Sequence, residues 1–160
     1  MNTLPDRQEL DELYMRRALA LAACAEAEGE VPVGAVLVAG GEVIAETWNR
    51  CITLSDPAGH AEVLALRAGG QALGNYRLPG ASLYVTLEPC AMCAGAMVHA
   101  RIARLVYGAT DPKAGAAGSV FDLVRAPALN HRVEVAAGVL GDECGAMLRA
   151  FFLARRRGSA

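Results

Sequence analysis

Cys90 and Cys93 stand three residues apart in Pro89-Cys90-Ala91-Met92-Cys93, directly after an apolar run from Ala81 to Leu87. Thiolates are soft metal ligands, and two of them at the start of a helix make half of a metal site. Pro89 cannot continue a strand's hydrogen-bond ladder, and its fixed φ suits the lead into a helix. The run Ala94, Ala96, Met97, Val98 and Ala100 therefore reads as a helix with both thiols on one face of its first turn. Of the histidines His60, His99 and His131, His99 lies too far down the same helix to join thiols at its start. His60 is different, because it opens a second helix straight after a turn-rich stretch, Arg50 to Gly59. Glu62 follows two residues on. Positions i and i+2 do not share a helical face, so His60 is expected in the non-helical lead-in, with Glu62 turned into the same cavity.

Zinc held by His60, Cys90 and Cys93 has three protein ligands. Structural zinc sites are closed by four, whereas catalytic sites keep one position for water. A fourth ligand from Cys51, Cys24 or Cys144 would make the site structural, but none of these shares the paired spacing or turn context of Cys90 and Cys93. Two thiolates neutralise the dication, so it withdraws charge from its water less strongly than a three-histidine site would. A neighbouring base is then especially useful, and Glu62 is the candidate. The plain alternative is an exposed first-turn glutamate favoured by the helix dipole.

These residues need a scaffold. Glu9 to Glu28 reads as a helix, apolar almost all round in its second half. Val33 to Val38 and the run after Gly40-Gly41 read as a hairpin, the first strand central and covered on both faces. Val63 to Gly70 reads as a short helix capped by glycine, Ala81 to Leu87 as a strand and Arg104 to Ala109 as another. Asp111 to Gly118 is a loop, Ser119 to Val124 one helical turn, Arg132 to Val135 a short strand, and Asp142 the N-cap of a last helix to Arg157. Strands alternating with helices after a hairpin imply an α/β domain with helices on both faces of the sheet.

The chain has 160 residues, 54% hydrophobic and only 5% aromatic, much of it alanine. That length suits one domain over residues 1–160, with helices packed closely through small side chains; about residues 1–8 and 158–160 are expected to be flexible. No apolar run approaches the roughly 18–20 residues that span a bilayer, and the charged N-terminus is unlike a signal peptide. A cytoplasmic location with no membrane partner is expected. Five scattered cysteines suit metal binding or burial better than a disulfide framework, and a formal charge of −2 does not by itself announce nucleic-acid binding.

His60-Ala61-Glu62 with Pro89-Cys90-Ala91-Met92-Cys93 resembles the H-x-E…P-C-x-x-C signature already known for zinc nucleobase deaminases, tRNA adenosine deaminase among them. Further segments narrow the resemblance to the bacterial tRNA adenosine deaminase family: Glu30 to Ala35, Trp48-Asn49-Arg50, Asn75 to Leu78, Thr86 to Met97, Gly115 to Ser119, Asn130 to Val133, and Asp142-Glu143-Cys144 with Phe151-Phe152 and the arginines after it. It runs from about Tyr14 to Arg157. The resemblance implies a three-layer α/β/α fold with a mixed sheet of about five strands, of the cytidine deaminase type. It also implies a homodimer with one catalytic zinc per subunit, converting adenosine to inosine at the wobble position of a tRNA anticodon stem-loop. Glu62 would be the proton carrier and His60, Cys90 and Cys93 the ligands. Substrate contacts would come from Asn49, whose amide can both donate to and accept from a purine edge, and from Ala61, Asp111, Lys113, Phe152, Arg155 and Arg156. Adjacent Phe151 and Phe152 cannot both face one core, so one could stack on a splayed base, with packing as the default. The competing expectations are a zinc deaminase of a free nucleobase or nucleotide, of guanine or cytosine type, and a non-catalytic zinc-stabilised domain that binds RNA or a protein.

Overall fold

The computed structural model describes residues 3–158. Helix α1 (Arg7–Ala27) starts two residues earlier than its apolar pattern suggests, because Asp6 caps it. Asp6 Oδ1 accepts from Glu9 N at 2.8 Å and Glu9 Oε2 accepts from Asp6 N at 3.0 Å, a reciprocal capping box. Of the ends expected to be flexible, residues 6–8 and 158 are thus capped or helical; Met1, Asn2, Ser159 and Ala160 lie outside the described residues.

Strands β1 (Gly34–Ala39) and β2 (Glu42–Trp48) form the expected hairpin. Helix α2 (Ala61–Leu73), strand β3 (Ser82–Leu87), helix α3 (Ala91–Ala100), strand β4 (Arg104–Ala109), strand β5 (Glu134–Ala137) and helix α4 (Gly141–Gly158) follow. The sheet order is β2-β1-β3-β4-β5, antiparallel from β2 to β3 and parallel from β3 to β5. It is the mixed five-stranded sheet of a three-layer α/β/α fold.

Side-chain alternation assigns the layers. Val36, Val38, Tyr84 and Val106 face Met15 and Ala18 of α1 and Cys144 of α4. Ala35, Leu37, Leu83, Val85 and Leu105 face Ala65 and Leu66 of α2 and Ala94 and Met97 of α3. Ala18, Ala22 and Ala25 are fully buried, which is the close packing through small side chains that the composition suggests. Among the described residues, no helix is long and apolar enough to cross a membrane.

Several local expectations are corrected. Helix α2 does not stop at Gly69-Gly70 but continues to Leu73, with Gly74 as its left-handed cap. Gly69 is there for contact: a Cβ at this position would overlap Leu37 Cδ2 on β1. Ser119 to Val124 is not a helical turn; Ala117 and Asp122 form an isolated bridge, and the Ser119 amide is drawn to a buried carboxylate. Strand β5 starts at Glu134, because the preceding residues bind elsewhere: His131 Nε2 lies 2.7 Å from Ile102 O, and Asn130 Oδ1 accepts from Arg101 at 3.0 Å. Asp142 lies in the first turn of α4, which begins at Gly141, and is not its cap.

One buried ion pair ties α1 to the sheet. Arg104 Nη1 and Nη2 donate to the two carboxylate oxygens of Asp11 at 2.6 and 2.7 Å, and Tyr84 Oη donates to Oδ1 at 3.0 Å. Burial alone would raise the Asp11 carboxyl, but the bonds from Arg104 and Tyr84 and the charge of Arg104 outweigh it and hold the pKa below the ordinary value. Because the folded pKa is depressed, this stabilisation is fully present above the unfolded value of about 4 and is lost as pH falls through the folded one. Asp11→Ala leaves the buried Arg104 with only its longer ion pair to Glu134 at 3.6 Å and is expected to cost about 3 kcal/mol in urea unfolding at neutral pH. The gap between wild type and variant should narrow on acidification; a constant gap would contradict the assignment.

Candidate active site

The site forms where β3 ends and two helices begin. After Leu87 the chain turns through Glu88-Pro89 into Cys90, the extended N-cap of α3 (φ −74°, ψ 176°). Cys90 thus precedes the first turn that it was expected to occupy, while Cys93 lies within that turn and is fully buried. His60 is the extended N-cap of α2 (φ −67°, ψ 149°), the non-helical lead-in expected for it. Thr47 of β2 fixes the neighbouring turn by donating from Oγ1 to Ala61 O at 2.7 Å. α2 and α3 pack on the same face of the sheet, and their N-termini meet.

His60 Nδ1 lies 3.5 Å from Cys90 Sγ and 3.4 Å from Cys93 Sγ. The three ligand atoms all lie within 4.8 Å of one another, and among the described residues they are the only His/Cys/Asp/Glu group so placed. Tetrahedral zinc with Zn–S of about 2.3 Å and Zn–N of about 2.0–2.1 Å sets nitrogen and sulfur about 3.6 Å apart. The donor set fits that ion in spacing and chemistry. Cys51 does not join it, since its thiol donates to Asn49 Oδ1 at 3.3 Å. Cys24 is exposed on α1, and Cys144 is buried on the α1/α4 side. Three protein ligands is one fewer than closes a structural zinc site.

The protonation pattern also suits a dication. The hydrogen bond from Cys93, followed by the influence of His60, holds the Cys90 thiol down at about 3. The same bond, with burial, pushes the Cys93 thiol up. His60 is raised chiefly by its bond to Cys90. Without metal the cluster holds protons between close donors, and those protons are what a metal displaces, since thiolate and neutral imidazole are the ligating forms. Both helix dipoles point their positive ends here, which favours the thiolates.

Glu62, in the first turn of α2, is 4% exposed. Burial raises its pKa from the ordinary glutamate value, which favours its protonated form relative to an exposed glutamate. It lines a cavity of about 250 Å³ with His60, Ala61, Cys90, Asn49, Asp111, and the apolar Val31, Val33 and Leu87. That is smaller than the roughly 300–1,000 Å³ of drug-sized ligand sites and suits one base. A larger groove of about 890 Å³ between α2 and α3 holds no ligand cluster.

Of the other expected substrate residues, Asn49 is buried at the cavity with Nδ2 donating to Val31 O at 3.3 Å, which fixes the orientation of its amide. Asp111 lines the cavity, and its Oδ1 accepts from Lys113 N and Ala114 N at 3.0 and 3.2 Å. Lys113 is exposed beside it. Phe152 is half-exposed on α4 while Phe151 is buried, so the pair divides as adjacency requires. Phe152 and Arg156 share a shallow groove with Leu148, Arg149 and Leu153, away from the metal ligands. Arg155 donates to Gly29 O at 2.7 Å and lies over the Phe151 ring, 4.9 Å from its centre.

Besides Asp11, two buried carboxylates near the site were not singled out from the sequence. Glu30 accepts from Ile52 N at 3.1 Å and Thr53 N at 2.7 Å, holding the loop after Asn49. Glu88 lines the cavity beside Cys90. Burial would raise its pKa, but donation from Ser119 and from the Asp111, Ser119 and Ala117 amides overcomes this and lowers it. For Glu88 the available signal was a single acid interrupting an apolar run, next to Pro89; Glu30, third of the acids Glu26, Glu28 and Glu30, carried no such signal.

Residues 8–109 match the family described as the cytidine and deoxycytidylate deaminase zinc-binding region. The tRNA-specific adenosine deaminase of Haemophilus influenzae is 54% identical over 98% of this chain and 91% of its own length. That of Bacillus subtilis is 51% identical over 92% of this chain and 91% of its own. A solved structure from a study of A-to-I editing by tRNA:A34 deaminases at the wobble position superposes with a TM-score of 0.83 at 48% identity, covering 85% of this chain and 99% of that one.

Cys90→Ala is expected to abolish zinc binding and Cys51→Ala to retain it, by metal analysis of the purified variants. Glu62→Ala is expected to keep its zinc and lose about 10²–10⁴-fold in turnover. Zinc loss in the Cys51 variant would mean a closed, structural site, and near-normal turnover without Glu62 would remove it from the proton path.

Proposed function

The chain belongs to the tRNA-specific adenosine deaminases, within the cytidine and deoxycytidylate deaminase zinc-binding family, and from that membership we propose how its site works. It is a zinc-dependent hydrolase that converts adenosine to inosine at the wobble position of a tRNA anticodon and releases ammonia. The observation that carries the reading is the convergence of His60, Cys90 and Cys93 with a buried Glu62 in one base-sized cavity.

Zinc, when bound, supplies the Lewis acid that makes water nucleophilic near neutral pH. Glu62 takes a proton from the attacking water and carries it to the ring nitrogen next to the amino-bearing carbon. It then takes the remaining proton of the added hydroxyl and passes it to the amino group, which leaves as ammonia while the carbonyl forms. The apolar walls Val31, Val33 and Leu87 exclude bulk water around a flipped adenine, and Asn49 pairs with its edge. Asp111 reaches a ribose hydroxyl and Lys113 a phosphate. Phe152, Arg155 and Arg156 engage the anticodon stem-loop along α4, Arg155 while keeping its place over Phe151.

A homodimer fits this reading. The apolar groove between α2 and α3, lined by Val63, Leu66, Tyr76, Ala96 and Ala100, is the surface for a second copy, with Leu73 and Tyr76 exposed nearby. The cytoplasm, where tRNA is found, is the matching location.

Incubation with a tRNA anticodon stem-loop, followed by sequencing, is expected to show inosine at the wobble adenosine, with free guanine and cytosine left unchanged. Turnover should weaken steeply as salt rises, because phosphate contacts release counterions. Deamination of a free base without inosine in RNA would favour the nucleobase enzyme instead. Sedimentation is expected to give twice the 16.7 kDa chain mass, and a single-chain species at micromolar concentration would overturn the dimer.

A further inference from the structure

One wall of the cavity, residues 111–119, has no helix or ladder to hold it. Three of its backbone amides and the Ser119 hydroxyl turn inward to a single side chain. Glu88 Oε1 accepts from Asp111 N at 3.0 Å and from Ser119 Oγ; Oε2 accepts from Ala117 N at 3.1 Å and Ser119 N at 3.0 Å. The flanking backbone continues the attachment, with Ala116 N donating to Pro89 O and Glu88 N to Ala109 O, both at 2.8 Å. Gly115 makes the approach possible, since a Cβ there would overlap Glu88 Cδ and Oε2.

We propose that Glu88 is a positioning residue for the substrate: it holds the 111–119 wall in the shape that places Asp111 and Ala114 at the cavity, two residues from the ligand Cys90. The inference rests on the tRNA reading for what the wall contacts, though not for the wall's attachment. Glu88 is no second general base, because both oxygens already accept two hydrogen bonds. Its role needs an acceptor without donors. A glutamine would turn an amide NH₂ toward backbone N–H groups, and an aspartate would fall one methylene short.

A merely structural carboxylate would support folding or zinc retention without touching substrate affinity in particular. Glu88→Gln, Gly115→Ala and Ser119→Ala are therefore compared with wild type by zinc content, amide hydrogen exchange at Asp111, Ala117 and Ser119, and the split of kcat from KM on an anticodon stem-loop. Glu88→Gln is expected to keep zinc, lose protection at those amides, and raise KM about tenfold with kcat changed less than about threefold. Gly115→Ala, which attacks the contact from the loop side, should do the same, and Ser119→Ala should shift both readouts less. Wild-type KM and wild-type exchange in Glu88→Gln would overturn the proposal, as would a fall in kcat at constant KM. If Glu88→Gln fails to fold, an unchanged KM in both other variants overturns it. Hydrogen exchange needs no substrate, so it judges the wall's attachment even if the wild type makes no inosine.

Discussion

The structure depends on two helix N-termini meeting at the end of β3. A helix start offers unpaired amides and a positive dipole end, and each of these starts carries a metal ligand as its cap residue. Neither His60 nor Cys90 uses its side chain as a hydrogen-bonding cap, so both are left facing the shared cavity. The sheet makes the meeting possible. β3 lies at its centre, and α2 and α3 pack side by side on one of its faces. Contacts such as Gly69 against Leu37 seat α2 close on β1. The buried Asp11–Arg104 pair secures the opposite layer, so the strands under the site are held from both sides.

Two glutamates of similar burial then take opposite roles. Glu62 and Glu88 are 4% and 2% exposed and line the same cavity. Burial raises the pKa of Glu62, whereas the donors converging on Glu88 lower it against its own desolvation. One carboxylate is eased toward its neutral form, and the other is held toward its anion with both oxygens committed to donors. The environment, not the residue type, divides the labour.

This division explains what was legible in the sequence. The ligands were readable because a metal demands particular donors at short spacing, and the H-x-E and P-C-x-x-C patterns state that demand within a few residues. The sheet and its helices were readable from apolar periodicity and from the Gly40-Gly41 turn. Helix α2 was read too short because Gly69 signals flexibility in sequence, while in the fold it is close contact with Leu37. Glu88 and Glu30 were missed because their partners are backbone amides of remote segments, and a backbone amide has no sequence letter. Arg155 was readable as a charge on a last helix, but its bond to Gly29 O depends on how α4 crosses the end of α1.

The same reasoning places selectivity away from the metal. Three ligands and the proton carrier proposed in Glu62 would define a reaction, and any amino-substituted ring of suitable size would meet the same chemistry. Discrimination must come from the cavity walls, and both polar walls are loops. Each is held through backbone amides by a buried acid: Glu30 grips Ile52 and Thr53 beside Asn49, and Glu88 grips the segment carrying Asp111. Amide donors are independent of side-chain identity, so the residues facing substrate can change while the anchors keep the wall in place. The anchoring of these walls is thereby independent of which side chains they present to the cavity.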